Sequence, residues 1–149
     1  MLPKYGLSFD IGISYVHNAN TIKFVEQCPE VSFILDHIGK PNIREGILDP
    51  WRDEIRQLSG FPNVFCKVSS LATVADHSKW TIEDLKPFAD HIFDCFGFDR
   101  TVYAGDWPVS SQAADLPTCV ETLENLISGC SREELKKLFH DNAVKFYRL

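Results

Sequence analysis

Three sets of polar residues in this sequence stand directly behind short apolar runs: Asp36-His37 with Lys40, Lys67 with Ser69 and Ser70, and Asp106-Trp107. Where such runs are parallel strands, their C-terminal ends are where an α/β fold binds ligands. Asp106 leaves its run through Gly105 and precedes Trp107-Pro108. A carboxylate beside an aromatic ring can be tuned for proton transfer or can bind a metal. The plainer reading is a turn aspartate, since Asp favours turns for its local hydrogen bonding. His37 can act as acid, base, metal ligand or hydrogen-bond donor, or can be a structural histidine. Lys67 suits an anionic or hydroxyl-rich substrate, or else packs its stem and solvates its ammonium.

Metal chemistry needs more ligands than this pattern offers. Zinc takes about three or four protein ligands, and His37 with Asp106 makes two. No H-x-H pair occurs in the sequence. The five cysteines, Cys28, Cys66, Cys95, Cys119 and Cys130, are odd in number and contain no C-x-x-C, so they indicate neither a disulfide framework nor a thiolate site.

The elements that must position these residues alternate strand and helix four times. Leu7 to Ile13 reads as a strand and about Asn20 to Cys28 as a helix ended by Pro29. Val31 to Asp36 is a second strand, apolar enough to be covered on both faces. A loop, His37 to Leu48, leads to a helix that Asp49 caps, with Pro50 at its first position and Trp51, Ile55 and Leu58 on its buried side. Val64 to Val68 is the third strand, followed by the long loop Ser69 to Lys79. The next helix starts at Thr81 and runs to Gly97, with a kink or short preceding turn expected at Pro87. Thr101 to Gly105 is the fourth strand, and helices over about 116–128 and 131–147 close the chain, the last opened by the capping box Ser131 to Glu134.

Composition bounds what such a chain can do. At 149 residues one domain, 1–149, is expected, and 44% apolar content with eleven Phe provides a core. A formal net charge of -6 excludes the basic footprint of a nucleic-acid partner. No apolar run approaches the ~20 residues of a membrane span, and the start lacks signal-peptide character, so the cytosol is the expected compartment. Neither a dinucleotide Gly-rich loop nor a P-loop follows any strand.

The segments Leu35-Asp36-His37-Ile38-Gly39-Lys40-Pro41, Phe65-Cys66-Lys67-Val68-Ser69 and Gly105-Asp106-Trp107-Pro108, in this order and spacing, resemble the amidohydrolase-related family of TIM-barrel hydrolases. The likeness is strongest to sugar-lactone hydrolases of the L-fuconolactonase and L-rhamnonolactonase type, relatives of pyrone-dicarboxylate hydrolase. It also takes in Gly6 to Asp10, Asp49-Pro50-Trp51 and Asn142 to Tyr147, and so spans nearly the whole chain. The resemblance implies hydrolysis of a cyclic ester. The aspartate matching Asp106 would deprotonate the attacking water, and the histidine matching His37 would polarise the carbonyl or help hold a divalent metal such as zinc, with Asp106 as a second ligand. Lys40, Lys67 and Trp107 match positions lining the cleft and would bind the substrate.

Departures accompany the match. Members of the family open on an H-x-H strand and run to roughly twice this length, a full barrel taking about 250 residues. Gly105 stands where serine is usual. The expected fold is therefore α/β, a partial (β/α)8 TIM barrel of about four C-terminal βα units. Two functions are expected from it: opening of a sugar lactone with Asp106 as general base, or a truncated, inactive barrel fragment with a binding or assembly role. An open sheet that only binds an anion is a third. Exposed edges on four such units call for a cover, for which a homodimer completing the barrel is the expected partner.

Overall fold

A computed structural model describes residues 1–149 and contains one four-stranded sheet. Its strands are β1 (Phe9–Ile11), β2 (Phe33–Leu35), β3 (Val64–Val68) and β4 (Thr101–Tyr103), all parallel and in sequence order. Sequential parallel order with a helix after each strand is the arrangement of successive units in a (β/α)8 barrel. The helices after the first three strands are α1 (Asn18–Glu26), α2 (Trp51–Ser59) and α3 (Ile82–Phe96). After β4 come α4 (Leu116–Leu126), α5 (Arg132–Lys136) and α6 (Asn142–Tyr147).

Because successive strand residues point to opposite faces, the sheet divides its side chains into two sets. Ile11, Phe33, Leu35, Val64, Cys66 and Val68 face the helices and join one core with Val25, Ile55, Leu58, Leu85, Phe88 and Ile92. On the other face Ile34 and Val102 form a smaller cluster with Phe146, and Phe65 packs beside them, its ring 5.2 Å from that of Phe146. The last helix therefore covers part of the face that points away from α1–α3. Asn142 fixes it there: its side-chain amide donates to the carbonyls of Phe98 (2.6 Å) and Thr101 (2.7 Å).

Several local expectations hold, and others need correction. Trp51, Ile55 and Leu58 are wholly buried, as the helical spacing requires. Asp49, expected as the cap of α2, instead pairs its carboxylate with the Arg52 guanidinium at 2.8 Å, and Pro50 occupies the cap position. The helix over Pro87 is continuous from Ile82 to Phe96 with no preceding turn. Packing of Leu85, Phe88 and Ile92 in the core outweighs the loss of one backbone hydrogen bond at the proline. The first strand is shorter than the apolar run that announced it, and the terminal helix is broken by a π turn at Lys137–Asp141. The Ser131 capping box forms as read, the Glu134 carboxylate accepting from the Ser131 amide at 2.7 Å. All five cysteines are free, Cys66 buried among core side chains. No helix is long and apolar enough to cross a membrane.

Candidate active site at the strand ends

Beyond β2 the backbone turns left-handed. His37, Ile38, Gly39 and Lys40 have φ of 54°, 50°, 76° and 46°, a full turn of the unfavoured hand. Each non-glycine residue there costs roughly 1–2 kcal/mol, so the surroundings must impose the conformation. They do so from two sides. The Ile38 side chain is wholly buried, and its carbonyl accepts from the Trp51 indole N–H at 2.7 Å. Gly39 fits closely: a Cβ there would lie 3.3 Å from Leu35 Cδ2 and 3.4 Å from Asn18 Oδ1, so its neighbours would have to give by a few tenths of an ångström.

The ends of β3 and β4 carry the same signature. Ser70 has φ of 59° and Asp106 of 51°. Thr73 holds the first turn by donating its hydroxyl to the Ser70 carbonyl at 2.8 Å, and the Ser110 amide holds the second by donating to the Asp106 carbonyl at 2.9 Å. Non-glycine residues at positive φ thus occur at three adjacent strand ends.

These turns bring four side chains together. His37 Nδ1 lies 2.8 Å from Ser69 Oγ and 3.0 Å from Ser70 Oγ. Ser70 Oγ also donates to Asp106 Oδ2, and His37 Nε2 faces Asp106 Oδ1 at 3.8 Å. His37 and Asp106 retain 19% and 17% of their side-chain exposure, so both are reachable from solvent. Burial pushes the His37 imidazole below its ordinary pKa, aided by Lys40 and Lys67 and opposed by the negative charges of Asp106 and Asp36. The ring is neutral near pH 7.

Lys67 sits on the opposite sheet face from Cys66 and Val68, with its ammonium 2.6 Å from Asp10 Oδ2 and 2.8 Å from Asp36 Oδ1. The Asp36 contact is an ion pair without hydrogen-bond alignment, whereas that to Asp10 is a hydrogen bond. Tyr147 donates its hydroxyl to the same Asp10 oxygen at 2.7 Å, and the ammonium stands 5.6 Å from the Tyr147 ring centre. Burial pushes the Lys67 pKa down, but the close contacts with the two carboxylates outweigh it, raise it above the ordinary lysine value and hold the group charged.

Lys40 is exposed and lines an open groove of about 590 Å³ with Ser14, Tyr15, Arg44, Thr73 and His77, residues of the loops after β1, β2 and β3. That size lies within the ~300–1,000 Å³ of small-molecule sites. Trp107 keeps 76% of its surface exposed beside Asp106. The structure therefore joins His37 to Asp106, places Lys40 on the neighbouring groove, engages Lys67 with two carboxylates and leaves Trp107 open.

Tyr15 and Arg44 had no part in the sequence reading, and Ser69 and Ser70 were grouped there with Lys67 without a role of their own. The two serines follow the third apolar run immediately, which is the one signal that marks them. As a metal site the cluster is incomplete. No three His, Cys, Asp or Glu side chains converge, so His37 and Asp106 do not by themselves fit zinc's ligand number.

Comparison with known proteins gives a consistent answer. The model of the family described as Amidohydrolase matches residues 1–149. An L-fucono-1,5-lactonase of Burkholderia ambifaria is 29% identical over 152 residues, covering 97% of this chain and 51% of that protein. An uncharacterised protein of Sinorhizobium fredii is 30% identical over 148 residues, covering 99% of this chain and 49% of its own length. The crystal structure of a Burkholderia multivorans amidohydrolase with bound zinc superposes with a TM-score of 0.92 at 27% identity, over 99% of this chain and 55% of that one. The chain spans about half the length of the relatives it matches. Its fold is a partial (β/α) barrel.

Proposed function

The chain belongs to the amidohydrolase family, and we propose that its strand-end cluster opens a sugar lactone by attack of water, with Asp106 as general base. The observation that carries this reading is the approach of Asp106 Oδ1 to within 3.8 Å of His37 Nε2 across two strand ends. Ser70 occupies Oδ2 of the same carboxylate, leaving Oδ1 for a water molecule. The lactonase names of two Burkholderia relatives supply the substrate class.

In the proposed reaction the water oxygen bonds to the lactone carbonyl carbon while its proton passes to Asp106. The tetrahedral intermediate then breaks the ring C–O bond, and the leaving alkoxide takes the proton back from Asp106. The product is the open hydroxy acid, and the base is regenerated. Lys40 and Trp107 border the approach and are assigned to substrate hydroxyls and to the sugar face. Lys67 is assigned to the same side through Asp36, which precedes His37. His37 and Asp106 would supply two donors to a divalent cation such as zinc, which as a Lewis acid polarises a carbonyl. No step above depends on it.

The chain acts in this reading as one domain in the cytosol, with a homodimer completing the barrel. Support for a cover comes from β1, an edge strand whose Phe9 is 40% exposed next to exposed Leu7 and Phe24. The test is hydrolysis of L-fucono- and L-rhamnonolactone by the purified chain, with and without added zinc, alongside Asp106→Asn. General-base catalysis contributes about 10²–10⁴-fold, and the variant should lose that much of kcat. Full activity in Asp106→Asn overturns the mechanism.

A further inference from the structure

We infer that Ser69 and Ser70 are positioning residues that fix the tautomer of His37, placing its proton on Nδ1 and leaving the Nε2 lone pair facing Asp106. The inference rests on the reading of His37 and Asp106 as the reacting pair. It follows from counting hydrogens. The Ser70 hydroxyl has one, and it contacts two groups: Asp106 Oδ2 and, at 3.0 Å, His37 Nδ1. An ionised carboxylate can only accept, so the serine hydrogen goes to Asp106. The contact with His37 is then a hydrogen bond only if Nδ1 donates.

Ser69 is compatible with that assignment. Its hydroxyl oxygen lies 2.8 Å from the same Nδ1, giving the imidazole N–H two acceptors, and Ser69 is buried at 4% exposure. Nε2 has no comparable partner, its contact with Asp106 Oδ1 being 3.8 Å, beyond hydrogen-bond range. The backbone is committed to the arrangement as well. Ser70 holds φ at 59°, a conformation serine seldom adopts, and Thr73 ties its carbonyl. In the opposite tautomer Ser69 could donate to Nδ1, but the 3.0 Å approach of Ser70 Oγ would then set two lone pairs against each other unless Ser70 gave up Asp106 and the carboxyl carried a proton.

The consequence concerns the role His37 can play. A neutral ring with a bare Nε2 accepts a hydrogen bond or a proton, or ligates a cation. It does not donate to a lactone carbonyl. Among the roles that the residue type leaves open, the serines therefore select acceptor, base or ligand over hydrogen-bond donor.

The experiment reads the tautomer directly in the substrate-free chain, with lactone turnover measured alongside. Two-bond 1H–15N correlation spectra of the imidazoles in the full chain, recorded well above the ordinary histidine pKa of about 6.5, are compared with those of Ser70→Gly and of Ser69→Ala/Ser70→Gly. Glycine is chosen because it tolerates positive φ, and Ser70→Gly alone serves if the double variant does not fold. His37→Gln assigns the resonances. The expected result is a protonated Nδ1 in the native chain, a redistribution toward Nε2–H in the variants, and a roughly 10- to 100-fold fall in kcat with little change in KM. An Nε2–H ring in the native chain, or a tautomer indifferent to both serines, overturns the inference. Absence of lactone hydrolysis with the Nδ1–H tautomer intact would instead count against the proposed reaction alone.

Discussion

The indole N–H of Trp51 donates to the carbonyl of Ile38 at 2.7 Å, with both side chains wholly buried. The bond ties the first turn of α2 to the left-handed turn carrying His37 and Lys40, so the helix layer holds the site. Trp51→Phe keeps an aromatic ring and removes the donor. It should cost about 1–3 kcal/mol, the penalty of leaving a buried carbonyl unsatisfied, and should lower lactone turnover as the turn relaxes. Denaturant unfolding and kcat on the same samples check it, and an unchanged midpoint with full activity would show the bond to be dispensable.

Acid should weaken the fold before the carboxylates titrate. Burial, the leading cause in both, holds His37 and His91 below the ordinary histidine pKa, so between that lowered value and about 6.5 the unfolded chain binds more protons than the folded one. Stability is thus fully present above about 6.5 and falls as pH drops through that window. Thermal melts across the window, repeated with His91→Gln, should show the slope reduced in the variant. A melting temperature independent of pH there contradicts the burial argument.

Lys67 holds Asp10 and Asp36 together across β1, β2 and β3. Lys67→Met retains the stem and leaves the two carboxylates without their cation. A loss of about 1–3 kcal/mol is expected, with the damage centred on Asp36 because Asp10 keeps Tyr147. Adding Asp36→Asn should recover part of it. If the single variant unfolds at the native midpoint, the ion pairs contribute nothing net.

Gly105 is constrained by its neighbour rather than by its backbone. A Cβ there would lie 2.9 Å from Leu116 Cδ1, at the start of α4. Leu116 is 44% exposed and can swing outward, so Gly105→Ala should cost only about 1 kcal/mol or less. Leu116→Ala in the same chain should cancel most of that cost, a coupling a double-mutant cycle measures. Purely additive effects would mean the two side chains do not meet.

The fold was legible because four apolar runs, each followed by a helical pattern, permit few parallel arrangements. Polar residues behind those runs pointed to the strand ends, and His37 and Asp106 do meet there. The resemblance supplied the chemistry that the spacing left open. Asp49 was misjudged because its carboxylate pairs with Arg52, three residues on, in place of the helix amides, and no turn precedes Pro87 because its helix is held by its buried face.

By itself, then, the sequence determined the βα order, the buried faces and which polar residues stand at strand ends, since these follow from periodicity and local chemistry. Only the tertiary structure decided what those residues touch. Lys67 became the partner of Asp10 and Asp36 because its side alternates away from Cys66. The left-handed turn of His37 to Lys40 is a conformation that three of its four residues disfavour, so no local rule foretells it. It exists because Trp51, thirteen positions from Ile38, supplies a hydrogen bond that the folded core alone brings within reach.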